Sequence, residues 1–395
     1  MLFVGAMVFT EERFCLKDIR IKEGKLVQIE EPGRLCPEPG EEVQQLSGKK
    51  ILPGLVDIHT HGRVGGDFSF PTREKLEKMC ASYASCGVTA VLATIMTNAP
   101  HQMENAVECI KEYQKTCGED KAFLQEEKEG EGRKQKGAKL LGIHLEGPFL
   151  GKKKKGAHDE QYLRNPDGVW LEQLQRKSGG EIRMITVDPL LEGADSFITD
   201  CFKKGMKVSL GHTECDYEQT YLAMQAGANH VTHLFNAMSP LHHRNPGLIG
   251  AAFDLGMYFE LIGDGFHLHP SILRLLFAAY PEKALLISDS MPAAGCPDGM
   301  YELGGLAVKV TEGKAVQADG TIAGSTISVF EAMVNCIRSG IPEEKAIQSA
   351  TYLPAKSIGM EHQVGCLAQG RAADILVVSK EWELEQVYVD GIRVK

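Results

Sequence analysis

Long apolar runs are missing from this 395-residue chain, and so is any excess of positive charge. No stretch approaches the ~20 apolar residues needed to cross a bilayer, which argues against a membrane protein. Lys plus Arg number 43 against 53 Asp plus Glu, a formal charge of −10. Nucleic acid is therefore disfavoured as a partner, because its phosphates are held by clustered Lys and Arg. The opening segment, MLFVGAMVFTEERF, has no basic leader, so no secretory signal is expected. The eleven cysteines are odd in number, scattered and without a C-x-x-C pair. That is the pattern of reduced intracellular thiols, and the expected location is the cytoplasm. Neither a G-x-S-x-G elbow nor a G-x-x-x-x-G-K-[ST] phosphate loop occurs, which removes the serine-hydrolase and P-loop readings.

What is present is ordinary globular composition, 43% hydrophobic and 24% charged, with a repeating pattern laid over it. Strand-like runs at Ile51–His59, Val88–Ile95, Leu140–Glu146, Ile182–Asp188, Lys207–His212, His230–Phe235, Tyr258–Asp264 and Ala284–Asp289 alternate with amphipathic stretches. Those stretches include Arg73–Ser85, Ala194–Lys204, Tyr217–Ala226 and Ser271–Tyr280. Continuous apolar runs suit strands buried on both faces of a parallel sheet, and eight of them with helical crossovers predict a (β/α)₈ barrel. Both ends read as short strands. Glu23-Gly24 and Asp390-Gly391 are hairpin turns, and Leu376-Val-Val adds a strand. The expected organisation is a small β-sandwich domain from residues 1–51 and 361–395, with the barrel over 52–360. The Glu-, Lys- and Gly-rich stretch from Gly118 to Lys139 is expected to be an exposed loop or frayed helix.

The placement of histidines and acids carries the chemistry. His59 and His61 close the first run, Glu146 the third, His212 the fifth, His233 the sixth and Asp289 the eighth. In a parallel barrel the C-terminal ends of all strands open on one face, so these six side chains can converge. Any one histidine at a strand end is more often structural than ligating, and H-x-H alone is a weak signal. Their joint occurrence reverses that balance. Imidazoles plus carboxylates are the ligand set of a Zn²⁺- or Fe²⁺-like ion that keeps a position open to water. His101 and His362 read as surface residues, and His144 stays unassigned.

The motifs extend further: Pro53-Gly-Leu-Val-Asp-Ile-His-Thr-His-Gly, His144-Leu-Glu-Gly-Pro-Phe, Lys154-Lys-Gly-Ala-His158 and Gly211-His-Thr. They continue with His233-Leu-Phe-Asn-Ala-Met, Arg244-Asn-Pro-Gly, Asp264-Gly-Phe-His267, Ser288-Asp-Ser-Met-Pro-Ala-Ala-Gly and Thr321-Ile-Ala-Gly-Ser. In these, and in their order, the chain resembles the N-acetylglucosamine-6-phosphate deacetylases of the amidohydrolase superfamily over essentially its whole length. The resemblance implies that Glu146, His212 and His233 hold the principal metal, and that His59 and His61 add a second ion through Glu146. The cofactor is thus a divalent metal, Zn or Fe, with one or two ions per subunit. It implies Asp289 as the general base and acid, and His158 as a catalytic residue beside the acetamide carbonyl. Ala157, His158, Asn236, Ala237, Arg244, His267, Ile322, Ala323 and Gly324 match positions that grip the sugar phosphate. It further implies a homodimer in which the Arg244 position can serve the neighbouring subunit's site.

Amide hydrolysis needs a nucleophile stronger than neutral water and a proton for a poor leaving group. A divalent metal and a neighbouring carboxylate supply these. Arg244 offers a bidentate fork to phosphate, while the Lys152–Lys155 run is either a steering patch or a solvated loop. The expected reaction is deacetylation of N-acetyl-D-glucosamine 6-phosphate in amino-sugar catabolism. Its galacto epimer is the alternative substrate. A cyclic amidase or deaminase is less expected, since many carry a carboxylated Lys at the fourth strand's end, where this chain has Thr186-Val-Asp188-Pro. A non-catalytic scaffold would have lost ligands, and none is missing.

Overall fold

Eight parallel strands pair in chain order into a nearly closed barrel: Leu55–Thr60, Val88–Met96, Lys139–Glu146, Ile182–Val187, Lys207–Leu210, His230–Val231, Tyr258–Ile262 and Ala284–Ile287. The computed structural model describes residues 1–123 and 137–395. The helix Pro100–Phe123 takes in the start of the charged Gly118–Lys139 stretch, and residues 124–136 lie outside the described residues. The strands are buried almost throughout, as a barrel packed inside by side chains and outside by helices requires. The helix Arg73–Ser85 shows the outer layer's logic. It buries Leu76, Met79, Cys80, Tyr83 and Ala84 on one face, and Thr72 caps it by accepting from the Lys75 amide.

No hydrogen-bonded ladder joins the eighth strand to the first. The seam is instead bridged by single groups. The Asp289 amide donates to the His59 carbonyl at 3.0 Å. The Asp57 carboxylate accepts from the Ser288 hydroxyl at 2.5 Å and from the Ser288 and His59 amides at 3.3 Å each. One buried acid thus sets the first strand's histidines in register with Asp289.

Several expected runs are longer than the strands. The run Ile51–His59 divides between two sheets. Lys50–Pro53 pairs antiparallel with Ile375–Val378, whereas Leu55–Thr60 enters the barrel. Gly54 lies at the crossing, where a Cβ would fall 2.0 Å from Thr89 Oγ1. The fifth, sixth and eighth strands also stop early, at Leu210, Val231 and Ile287. Beyond each, a residue takes a left-handed backbone that no ladder accommodates: His212, His233 and Asp289.

Both termini build one mixed sheet. Leu2–Thr10, Arg13–Lys22 and Lys25–Glu30 form a meander, and Lys50–Pro53 joins it to Ile375–Val378, Leu384–Val389 and Ile392–Arg393. The Glu23-Gly24 and Asp390-Gly391 turns both have positive φ at both residues, as a type I′ hairpin needs. Phe3, Val8, Ile19, Ile51, Ile375 and Tyr388 fill this sheet's core. Lys139 Nζ ties it to the barrel, 2.6 Å from Asp374 Oδ2 and 2.7 Å from Asp390 Oδ1. A second, three-stranded antiparallel sheet, from Gly299–Leu303 through Leu306–Thr311 to Lys314–Val316, follows the eighth strand. The described cysteines are all free. No helix among the described residues is long and apolar enough to cross a membrane.

Candidate active site

Three of the expected metal-ligating and catalytic residues have a backbone that few non-glycine residues adopt. φ is +50° at His212, +29° at His233 and +48° at Asp289. Such conformations cost about 1–3 kcal/mol each and persist where the surroundings over-determine them. Here each follows a strand end and aims its side chain into the barrel mouth. His59 and His61 alternate along the first strand and its exit, and Glu146 ends the third.

These side chains meet. Glu146 Oε1 lies 3.1 Å from His212 Nε2 and 3.1 Å from His233 Nε2, and those two nitrogens are 3.1 Å apart. Glu146 Oε2 lies 3.2 Å from His61 Nε2 and 3.4 Å from His158 Nε2. Asp289 Oδ1 is 3.1 Å from His61 Nε2. His59 Nε2 is 3.5 Å from Glu146 Oε1 and 3.6 Å from Asp289 Oδ1. Glu146 bridges the whole cluster.

The donor set fits a divalent cation. Two imidazole nitrogens 3.1 Å apart repel unless a proton or a cation lies between them. His212 donates from Nδ1 to the Lys154 carbonyl at 2.8 Å, which leaves its Nε2 lone pair facing Glu146. His59 Nε2, His61 Nδ1 and His233 Nδ1 are buried without a hydrogen-bond partner. Burial would raise the Glu146 carboxyl, but His59, His158, His212 and His233 hold it well below the usual carboxylate range. Burial would likewise raise Asp289, and His61 and His59 hold it down. Both buried carboxylates stay ionised because imidazoles face them, and His59 and His61 are pushed up in return, with no Lys or Arg paired to either acid among the described residues; a divalent cation can take the place of the protons those imidazoles carry. His158 differs: burial pushes it down to about 4, so it is neutral at pH 7. Its Nδ1 is fixed 2.9 Å from Thr97 Oγ1.

Beside the cluster opens a cavity of about 520 Å³. Ala157, His158, Asn236, Ala237, His267, Ile322 and Gly324 line it, as expected of substrate-binding positions, together with His61, Glu146, His212, His233 and Asp289. Asp264 orients His267, with Oδ2 2.7 Å from Nδ1. Gly324 is required where it stands: φ is +63° and a Cβ would fall 2.9 Å from the Asp289 carbonyl.

Two expected substrate positions are elsewhere. Ala323 is fully buried and packs with Met291 and Val308 in the core of the three-stranded sheet, and does not line the cavity. Arg244 is exposed on the loop after the sixth strand, with Nη1 2.8 Å from His243 Nε2, and does not line the cavity. The lysines of 152–155 all line its rim, though Lys152 and Lys153 pair with Glu160 and Glu214 at 3.6 and 3.3 Å. Further residues escaped the sequence reading. Thr97 lies just past the second strand, between Met96 and Asn98, with nothing in its local sequence to mark it. Leu303, Asp319 and Thr321 reach the cavity from the unforeseen three-stranded sheet and its continuation. Glu260 sits against His59 with Oε2 2.8 Å from Nδ1; a lone acid inside the run Tyr258–Ile262 was its signal.

Residues 51–394 match the Amidohydrolase family. An N-acetylglucosamine-6-phosphate deacetylase of Bacillus subtilis (strain 168) is 35% identical over 97% of this chain and 94% of its own. An N-acetylgalactosamine-6-phosphate deacetylase of Escherichia coli O157:H7 is 32% identical over 94% of this chain and 93% of its own. Among solved structures, a mutant N-acetyl-D-glucosamine-6-phosphate deacetylase from Mycobacterium smegmatis, in complex with N-acetyl-D-glucosamine-6-phosphate, superposes with a TM-score of 0.88. It is 30% identical and covers 100% of this chain and 99% of that one. The motifs, the barrel and the cluster at its mouth agree with these likenesses: the chain belongs to the amidohydrolase family and, within it, to the group that these 6-phosphate deacetylases form.

Proposed function

We propose that the protein hydrolyses N-acetyl-D-glucosamine 6-phosphate to D-glucosamine 6-phosphate and acetate, as a cytoplasmic homodimer serving amino-sugar breakdown. The observation that carries this reading is the meeting of Glu146, His212 and His233 at 3.1 Å beside Asp289, at the wall of a sugar-sized cavity. Glu146, His212 and His233 would hold the principal ion. His59 and His61, with Glu146 shared, would hold a second, and zinc and iron both suit this mixed imidazole and carboxylate set. A divalent cation there supplies Lewis acidity, which acidifies water and draws charge from a carbonyl oxygen.

The chain's own groups do the rest. Asp289, ionised and directed into the cavity, takes the proton of the attacking water and returns it to the departing amine. Proton transfer of this kind contributes about 10²–10⁴-fold. His158, neutral and fixed by Thr97, carries a hydrogen on Nε2 when the Thr97 hydroxyl donates to Nδ1. It offers that hydrogen to the oxygen that becomes negative as the acetyl carbon turns tetrahedral. The Ala237 amide and His267 are donors for the sugar and its phosphate. Asn236, whose Nδ2 already donates to the His233 and Leu234 carbonyls, offers its Oδ1 to a sugar hydroxyl, and the lysine-lined rim raises the local positive potential for a dianion. Arg244, exposed and outside its own cavity, suits a role at the neighbouring subunit's site.

The galacto epimer is the second reading, favoured by the likeness to the Escherichia coli enzyme. Acetate release by metal-replete enzyme from both epimers, combined with elemental analysis, decides between them. Faster turnover of the galacto compound transfers the assignment to it, and no acetate from either overturns both.

A further inference from the structure

The seventh barrel strand carries one acid in an apolar run: Tyr258, Phe259, Glu260, Leu261, Ile262. Glu260 is fully buried, and no Lys or Arg among the described residues pairs with it. Such a carboxylate costs several kcal/mol unless its oxygens are satisfied. Its Oε2 has two partners, His59 Nδ1 at 2.8 Å and the His233 amide at 3.1 Å; Oε1 has none.

The contact with His59 decides which ring nitrogen bears hydrogen. A nitrogen facing a carboxylate at 2.8 Å must donate, so Nδ1 is the protonated one and Nε2 is the atom offered to the cluster. His144, edge-on with its ring centre 4.8 Å from that of His59 and its own Nε2 2.8 Å from Thr186 Oγ1, braces the ring beside Glu260. His59 Nε2 is 3.5 Å from Glu146 Oε1 and 3.6 Å from Asp289 Oδ1 and hydrogen-bonded to neither. Either a second proton on the ring or a metal ion belongs in that gap.

We propose that Glu260 is a positioning residue for the ion that His59 and His61 would share with Glu146, locking His59 in the tautomer that presents Nε2 to the metal. Through the His233 amide the same carboxylate also holds the loop that carries a ligand of the principal ion. The inference rests on the reading of the cluster as a metal centre. A carboxylate behind a ligating imidazole is worth about 10–100-fold in metal affinity.

Zinc titration of metal-depleted protein by calorimetry, with ions counted by elemental analysis, tests this on wild type, His59→Ala, Glu260→Leu and Glu260→Gln. Wild type is expected to bind two ions. Glu260→Leu should keep one and bind the other about 10–100-fold more weakly, as His59→Ala does. Glu260→Gln, whose amide oxygen still accepts from Nδ1, should fall between, and spectra of ¹⁵N-labelled histidine should show the Nδ1–H tautomer of His59 lost only in Glu260→Leu. Wild-type affinity for both ions in both Glu260 variants overturns the inference and leaves the metal centre standing. If Glu260→Leu does not fold, Glu260→Met, which has a similar length and no oxygen to accept from Nδ1, takes its place, and wild-type affinity for both ions in it overturns the inference. A wild type that binds no zinc overturns the metal centre itself, and one that binds a single ion indifferent to His59→Ala removes the position that Glu260 is said to serve.

Discussion

His212 and His233 present their Nε2 atoms to the same carboxylate oxygen, Glu146 Oε1, each at 3.1 Å, although 66 and 87 residues of chain separate them from it. Removing the shared oxygen should dismantle the centre rather than trim it. Glu146→Ala is expected to lose bound metal in elemental analysis and to lower turnover by about 10³-fold or more, the several kcal/mol that Lewis-acid stabilisation supplies. Retention of full metal content by a folded Glu146→Ala would count against the assignment.

Asp289 is a test of proton transfer separate from metal binding. Asp289→Asn keeps the size and leaves Glu146, His212 and His233 in place. Metal content should remain near that of wild type while kcat falls about 10²–10⁴-fold, with KM little changed. Equal turnover in the two proteins would assign the shuttle elsewhere.

Arg244 lies outside the cavity of its own chain. If it completes the neighbour's site, Arg244→Ala should raise KM for a phosphorylated substrate about tenfold or more, the loss of one charge-assisted contact. The same change should leave KM for an unphosphorylated N-acetyl sugar unaltered. Mixing Arg244→Ala with an Asp289→Asn variant should restore part of the activity, because heterodimers then contain one site with both residues intact. No recovery on mixing, with dimers verified by light scattering, would place Arg244 outside catalysis.

Acid sensitivity should trace partly to His230. Burial, with Lys207 and Lys283 nearby, pushes this imidazole down to about 3, against ~6.5 in an unfolded chain. Between those values the unfolded state takes up a proton that the folded state refuses. Stability is thus fully present above pH ~6.5 and declines as pH falls. At pH 5 the loss is about 2 kcal/mol. Urea unfolding at pH 7 and 5 should show a smaller decline in His230→Gln than in wild type; equal declines would exonerate His230.

The barrel was legible because each strand is buried on both faces and therefore reads as an unbroken apolar run. The hairpins were legible because only a few residue pairs, Glu23-Gly24 and Asp390-Gly391 among them, tolerate two consecutive positive φ values. What escaped detection followed from other rules. Gly54 divides one apolar run between two sheets, and nothing in the run's hydrophobicity marks the division. The ends of the fifth, sixth and eighth strands depart from the ladder because His212, His233 and Asp289 are held by contacts distant in sequence. Arg244 and Ala323 were assigned by motif, and a motif does not say which way a loop or a methyl turns. Glu260 was visible as a letter but not as a neighbour, since its partner His59 is 201 residues away.

Lys50–Pro53 hydrogen-bonds to Ile375–Val378 on one side and to Leu2–Thr10 on the other. On the ribosome, the N-terminal strands emerge about 320 residues before the neighbour that completes their sheet. At ~5–20 residues per second that amounts to roughly 16–64 s in which the edge of Lys50–Pro53 is uncovered. The nascent protein must pass through that interval with a bare strand leading directly, through Gly54, into the segment that bears His59 and His61. Chaperone dependence during synthesis, and aggregation of chains truncated before residue 375, follow from that order of arrival.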